Sequence, residues 1–199
     1  ANLCRAHLLE IPVVGLPADA DGTFSNEARA QVAQLAERRS AVLVGPGMCV
    51  TGGTVGVVST LLESEAPLVI DADGLNSLAR LTSNRLDEFP ELLRRKAPLV
   101  LTPHRRELGR LVGLTDATPN SLTSALEAAR RIVWADGGSE LVVVAKGTAT
   151  ACVGVEIAML PKPGPACLAT AGSGDVLAGI TAGLLARGVE TESLPTLTA

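Results

Sequence analysis

The sequence predicts a three-layer α/β domain, a mostly parallel central sheet with helices on both faces, occupying residues 1–199 as one unit. Three observations carry that expectation. Short apolar runs of strand length alternate with stretches of helical period. The runs are continuous, as in "AVLVG", "PLVID" and "LVVVA", which is the pattern of strands buried on both faces. The 47% hydrophobic fraction is largely Ala, Val and Leu, with two Phe, one Trp and no Tyr, so small side chains are available for close helix-on-sheet packing.

In chain order, "LLEIPVVGL" (8–16) is the first strand candidate, ended by the turn-rich "PADADGTFS". Ser25 is placed to cap a helix whose Ala28, Val32, Leu35 and Ala36 share one face. Strands follow at 41–45, 67–71 and 98–102, the first two separated by a helix with Val55, Val58, Leu61 and Leu62 in register. Thr118-Pro119 opens a further helix with the proline at its first position, and Leu122, Ala125, Leu126, Ala129, Ile132 and Val133 form its apolar stripe. The turn "DGGS" leads to the strand 141–145 and to "TACVG" and "EIAML" as a hairpin. A last helix runs from about Asp175 to Arg187, with Gly188 as its stop.

Composition excludes several roles. Net charge is −4 and no dense basic cluster extends beyond "RRK" and "HRR", so a nucleic-acid partner is not expected. Mean hydropathy is +0.33, yet no apolar run approaches the roughly 20 residues that span a bilayer. Cys4, Cys49, Cys152 and Cys167 show no CxxC spacing and read as small hydrophobes of a reducing cytoplasm; no signal peptide is visible.

Polar residues gather at the carboxyl ends of the predicted strands, where parallel sheets bind ligands. "AVLVG" runs into Pro46-Gly47, "PLVID" into Asp73-Gly74-Leu75-Asn76, "PLVLT" into Pro103-His104, and "LVVVA" into Lys146-Gly147-Thr148-Ala149-Thr150. Near the end, Gly172-Ser173-Gly174-Asp175 opens the last helix. Glycines there let backbone N–H groups reach an anion at the positive end of a helix, and Asp175 would stand beside it as a base. A capped helix whose first-turn acid complements the dipole explains the same residues. Lys146 likewise reads as a solvated hairpin lysine or as part of a nucleotide site, and His104 as a surface residue or a ligand contact. Glu107 reads as an acid of a helix first turn, and Asp71 and Asp73 as turn residues or holders of a hydrated metal.

Taken in order, "VGPG", "VIDADGLN", "LTPHRRE", "VVVAKGTAT" and "ATAGSGDVLAGITAGLLARG" resemble the successive motifs of the ADP/ATP-dependent NAD(P)H-hydrate dehydratases, within the ribokinase-like superfamily. The resemblance implies a ribokinase-like fold and repair of hydrated (S)-NADH or NADPH: phosphorylation of the hydrate by ADP or ATP with Mg2+, then loss of phosphate. It places Gly47, His104, Asn76 and Asp175 at the hydrated coenzyme, Asp175 being the base. Lys146, Gly147, Thr148, Ala149 and Thr150, with Gly172, Ser173 and Gly174, fall at the adenine nucleotide. It also implies a homo-oligomer. The chain departs from the family at Met48-Cys49, at Arg105-Arg106 and at Ala171, where glycine, Pro-Gly and glycine are usual. The parts of the family domain before the second or third element, and beyond "LLARG", are not found in it. A ribokinase-like kinase for a vitamin precursor and a non-catalytic nucleotide-binding remnant are the alternatives.

Overall fold

A computed structural model describes residues 2–88, 90–114, 119–136, 140–162 and 164–193. The continuous apolar runs form the sheet. Strands β1 (Val42–Val44), β2 (Leu68–Ile70), β3 (Leu99–Leu101) and β4 (Leu141–Ala145) lie side by side in chain order, all parallel. The expected hairpin follows as β5 (Ala151–Val153) and β6 (Ala158–Met159), both antiparallel. The helices are α1 (Asn2–His7), α2 (Ala28–Ala36), α3 (Gly52–Leu62), α4 (Asp73–Leu81), α5 (Pro90–Leu93), α6 (Arg105–Leu111), α7 (Leu122–Asp136) and α8 (Ser173–Ala186).

Strand order decides where the helices go. Right-handed crossovers between neighbours taken in one direction all fall on the same face. Successive strand residues point to opposite faces, so each strand feeds two cores. Leu68, Ile70, Leu99 and Leu101 pack with Val58, Leu61, Leu78, Leu108 and Ile132 of the crossover helices. Val69, Val100, Val142 and Val144 face the other way, under Ala178 and Leu185 of α8. Fully burying one such leucine or valine stabilises by about 2 kcal/mol. Helices therefore cover both faces, with α8 on the second and its Val176 and Ile180 turned outward to solvent.

Four local expectations are corrected. The segment 8–16 forms no strand: Leu9 and Ile11 are exposed and nothing in the sheet pairs with it. Pro12 removes one donor, and the one side-chain hydrogen bond joining the segment to the rest of the described chain is Arg5 Nε to the Val13 carbonyl. Ser25 does not cap α2; its hydroxyl donates to the Glu27 carboxylate at 2.5 Å. In α3 the buried stripe is Thr54, Val57, Val58, Leu61 and Leu62, and Val55 is only half-buried. Pro119 precedes α7 rather than opening it. Ser121 and Ser124 exchange reciprocal backbone-to-hydroxyl bonds at 3.1 Å each, a capping box that fixes the start at Leu122. Thr118 and the Gly137–Ser139 part of the "DGGS" turn lie outside the described residues. At α8 the stop is as expected: Gly188 (φ +78°) and Val189 donate back to Leu185 and Leu184 in a Schellman motif.

Candidate active site

The carboxyl ends of β1 to β4 and the start of α8 meet at one end of the sheet. Beyond β1, Gly45 takes φ +128°, and a Cβ there would sit 1.7 Å from the Asp71 carbonyl oxygen. Gly74 is also confined: a Cβ there would sit 2.8 Å from the Val44 carbonyl oxygen. This glycine pair lets the loops after β1 and β2 lie against each other. Gly47 differs: its φ is +70°, and nothing stands within 4 Å of its Cβ position. Met48, the first departure from the family pattern, packs on the core, and its sulfur accepts the Gly45 N–H. Cys49 adopts φ +58°, held by its N–H on Asp73 Oδ2 at 2.9 Å.

After β2, Asp71 is 1% exposed and Ala72 is strained at φ +48° and ψ −121°. Asn76, in the first turns of α4, donates to Asp73 Oδ1 and accepts from the Arg110 guanidinium of α6. After β3, His104 is the N-cap of α6. Its Nδ1 accepts the N–H groups of Arg106 and Glu107, both at 3.1 Å, and Glu107 Oε2 accepts the His104 backbone N–H at 2.8 Å. Glu107 is 6% exposed. Burial pushes its carboxyl up, against the His104 N–H bond and the positive charge of Lys146 and with the push of Asp71.

Lys146 extends the β3–β4 ladder by one rung, its N–H on the Pro103 carbonyl at 2.8 Å. Its ammonium donates to Asp71 Oδ1 at 2.6 Å, an ion pair whose carboxylate side chain is only 2% exposed. Gly147 lies under Arg105, and Thr148, Ala149 and Thr150 lead into β5. Gly172, at φ +87°, starts α8 without a side-chain cap. The amides of Gly174 and Asp175 find no acceptor among the described residues. Gly174 comes closest to the ion pair: a Cβ there would be 3.3 Å from Lys146 Nζ and 4.0 Å from Asp71 Oδ2. Free helix N–H groups beside an ammonium are a seat for an anion.

The structure thus joins Gly174 to Lys146, Lys146 through the β3–β4 rung to His104, and Asn76 to α6. Asp175, Gly47 and Thr148 are exposed at the same end, and the Asp175 carboxylate has no hydrogen bond or ion pair among the described residues. Two residues of the site stand out less in the sequence than in the structure. Asp71, which by sequence fits a turn residue or a holder of a hydrated metal, is the buried partner of Lys146. Glu107, by sequence a first-turn acid, also closes a capping box with His104 at His-x-x-Glu spacing. Among the described residues no three His, Cys, Asp or Glu side chains cluster as a metal cage, and no helix is long and apolar enough to cross a membrane.

Known proteins share this arrangement of sequence. The profile of the NAD(P)H-hydrate dehydratase family matches residues 3–194. A bifunctional NAD(P)H-hydrate repair enzyme of Salinibacter ruber is 38% identical over 92% of this chain and 32% of its own. An ADP-dependent (S)-NAD(P)H-hydrate dehydratase of Neisseria meningitidis is 38% identical over 78% of this chain and 51% of its own. The chain therefore spans about a third of the first relative's length and about half of the second's. Among solved structures, a ribokinase-like superfamily protein of Enterococcus faecalis superposes with TM-score 0.69 at 22% identity, covering 97% of this chain and 61% of that one. An ADP/ATP-dependent NAD(P)H-hydrate dehydratase of Bacillus subtilis, crystallised with ATP and Mg2+, gives TM-score 0.64 at 26% identity, covering 84% and 56%. The fold is ribokinase-like, and the chain belongs to the NAD(P)H-hydrate dehydratase family.

Proposed function

We propose that this chain dehydrates (S)-NADH or NADPH hydrate at the expense of ADP or ATP. The observation that carries the reading is the uncapped start of α8 set against the Lys146–Asp71 pair. Phosphoryl transfer asks a protein mainly for positioning and charge stabilisation. The free N–H groups and Lys146 supply both to a transferring phosphate. Lys146 to Thr150 and Gly172 to Gly174 hold the nucleotide, while Gly47, Asn76 and His104 hold the hydrate.

Asp175, on the first turn of α8, takes the proton of the hydrate's hydroxyl as its oxygen bonds the terminal phosphorus. The bond from that phosphorus to the bridging oxygen breaks, leaving ADP from ATP or AMP from ADP. Phosphate then departs with a proton from the neighbouring ring carbon, and the carbon–carbon double bond of the dihydronicotinamide returns. Mg2+ enters as part of the nucleotide substrate, neutralising its phosphates; an ion that keeps most of its waters needs no cage of protein ligands. The reading also covers a single domain over 1–199 acting as a cytoplasmic homo-oligomer, with the outward Val176 and Ile180 of α8 as apolar surface for a second copy.

The test is incubation with hydrated NADH or NADPH, Mg2+ and ADP or ATP. Reappearance of reduced-nicotinamide absorbance, matched one-to-one by phosphate release, is the expected result. Folded protein that restores no absorbance but phosphorylates a vitamin precursor is a kinase, and nucleotide binding with neither activity marks a non-catalytic domain.

A further inference from the structure

From the bonds around His104 we infer that its imidazole is fixed as the Nε2–H tautomer and presents a hydrogen-bond donor to an oxygen of the bound ligand, with Glu107 as its positioning residue. This rests on the reading of the site given above and specifies what His104 does in it.

The first step is the cap. Nδ1 accepts two backbone N–H groups, those of Arg106 and Glu107, at 3.1 Å. An atom accepting two donors must carry its lone pair, so the ring proton of the neutral form is on Nε2. A histidine is an uncommon N-cap, since Ser, Thr, Asp and Asn serve helix starts better. Protonating Nδ1 would set three donors against one another and release the first turn of α6. The fold therefore excludes Nδ1 as a proton acceptor.

The second step is where Nε2 looks. It stands 3.4 Å from Glu107 Oε1, but no hydrogen bond joins them, and it has no other partner among the described residues. The side chain is 53% exposed, at the same end of the sheet as Lys146 and Asn76. An N–H with no partner, on a half-exposed ring, is matched by a ligand oxygen acceptor: a hydroxyl, an amide carbonyl or a phosphate. It is not matched by a group that must give up a proton.

The third step is Glu107. Its Oε2 holds the His104 backbone N–H at 2.8 Å, and its own N–H holds Nδ1, so both ends of the histidine are tied to one residue. Glu107 is buried. Its contribution reaches the chemistry only through the ring it orients.

Two experiments on the full chain decide the matter. In 15N-labelled protein, His7 and His104 are the only histidines, so their ring nitrogens are resolved by two-bond proton–nitrogen correlation. His104 should show a pyridine-like Nδ1 and a protonated Nε2 at neutral pH, with His7 as the mixed-tautomer control. Glu107→Gln, which keeps an acceptor for the backbone N–H, should leave both pattern and KM close to the parent. Glu107→Ala, which keeps the two backbone donors to Nδ1 but frees the His104 N–H, should keep the tautomer and raise KM for the hydrate. A protonated Nδ1 in the parent protein overturns the inference, whatever the enzyme does. The second experiment compares His104→Asn with His104→Asp. Both side chains can cap α6, so both should melt near the parent. Asparagine retains an N–H donor and should raise KM for the hydrate about fivefold. Aspartate offers only acceptors to a ligand oxygen and should raise it about fiftyfold or more. Aspartate outperforming asparagine means that His104 serves as a base, and the inference fails. If the parent protein shows no turnover of hydrated coenzyme, the functional reading falls while the nitrogen spectrum still decides the tautomer.

Discussion

Replacing Lys146 by Met tests how the floor of the candidate site is held. The ammonium lies 2.6 Å from Asp71 Oδ1, and the Asp71 side chain is 2% exposed. Removing one partner of a buried pair leaves the other charge without compensation, which costs about 3–5 kcal/mol. The Lys146 side chain is 20% exposed, so water reaches its end of the pair and places the loss near the lower figure, about 3 kcal/mol. For a chain of this size each kcal/mol moves Tm by about 2–4 °C, so Lys146→Met should melt about 6–12 °C below the parent. The double variant Lys146→Met with Asp71→Leu removes both charges and should recover most of that loss, because hydrophobic replacement of a buried pair is close to neutral. Circular dichroism melts and urea titrations of the parent, both single variants and the double variant give the coupling energy. Additive single effects, or a Lys146→Met variant that melts with the parent, would show that the pair carries no stability. Asp71 would then have to be solvated in solution, and the account of the site floor would fail.

Asp175→Asn should lower kcat at least about a hundredfold while nucleotide affinity, read by calorimetry, stays within a few-fold; normal turnover would reduce Asp175 to a dipole-matching acid. Gly45→Ala should yield no folded protein, because its Cβ would meet the Asp71 carbonyl at 1.7 Å and its backbone needs φ +128°. Glu107 gives a pH signature. Its folded-state carboxyl is raised by burial above the unfolded value of about 4.3, so the folded state holds its proton more tightly than the unfolded state does. Ionising it in place therefore costs stability progressively as pH rises from about 4.3 through the raised folded value. Glu107→Gln lacks that cost, so its stability relative to the parent should climb across this window in urea titrations at several pH values. A flat difference would refute the raised value.

The parallel strands were legible because burial on both faces leaves one signature, an unbroken apolar run, and that signature is local. The segment 8–16 is also rich in Leu and Val, but Glu10 and Pro12 interrupt it, and a strand exists only when a neighbour offers a ladder, which no local pattern reports. Asp71 was illegible for a related reason. Its partner is 75 residues away, so nothing near "VIDAD" distinguishes a buried ion pair from a solvated turn. The start of α7 shows the opposite case, since the Ser-x-x-Ser box was present and the more conspicuous Pro119 masked it.

The glycines show where motif reading reaches its limit. "GPG" presents two residues of one type, two positions apart, and the sequence treats them as a unit. Gly45 is glycine because another backbone occupies the space of its side chain, and Gly47 is glycine by its φ of +70° alone, with open space beside it. The same division separates Gly74, pressed on Val44, from Gly172, which has nothing within 4 Å. A glycine confined by protein answers to stability, and one facing open space at the end of the sheet is the kind a ligand can approach. Substitution should therefore split the motif. Gly47→Ala carries strain but no clash, so its loss should show in KM as well as in Tm, whereas Gly45→Ala should fail before any ligand is bound. If Gly47→Ala instead folded and kept the parent's KM, the open space beside Gly47 would have no part in binding, and its place in the site would rest on the resemblance alone.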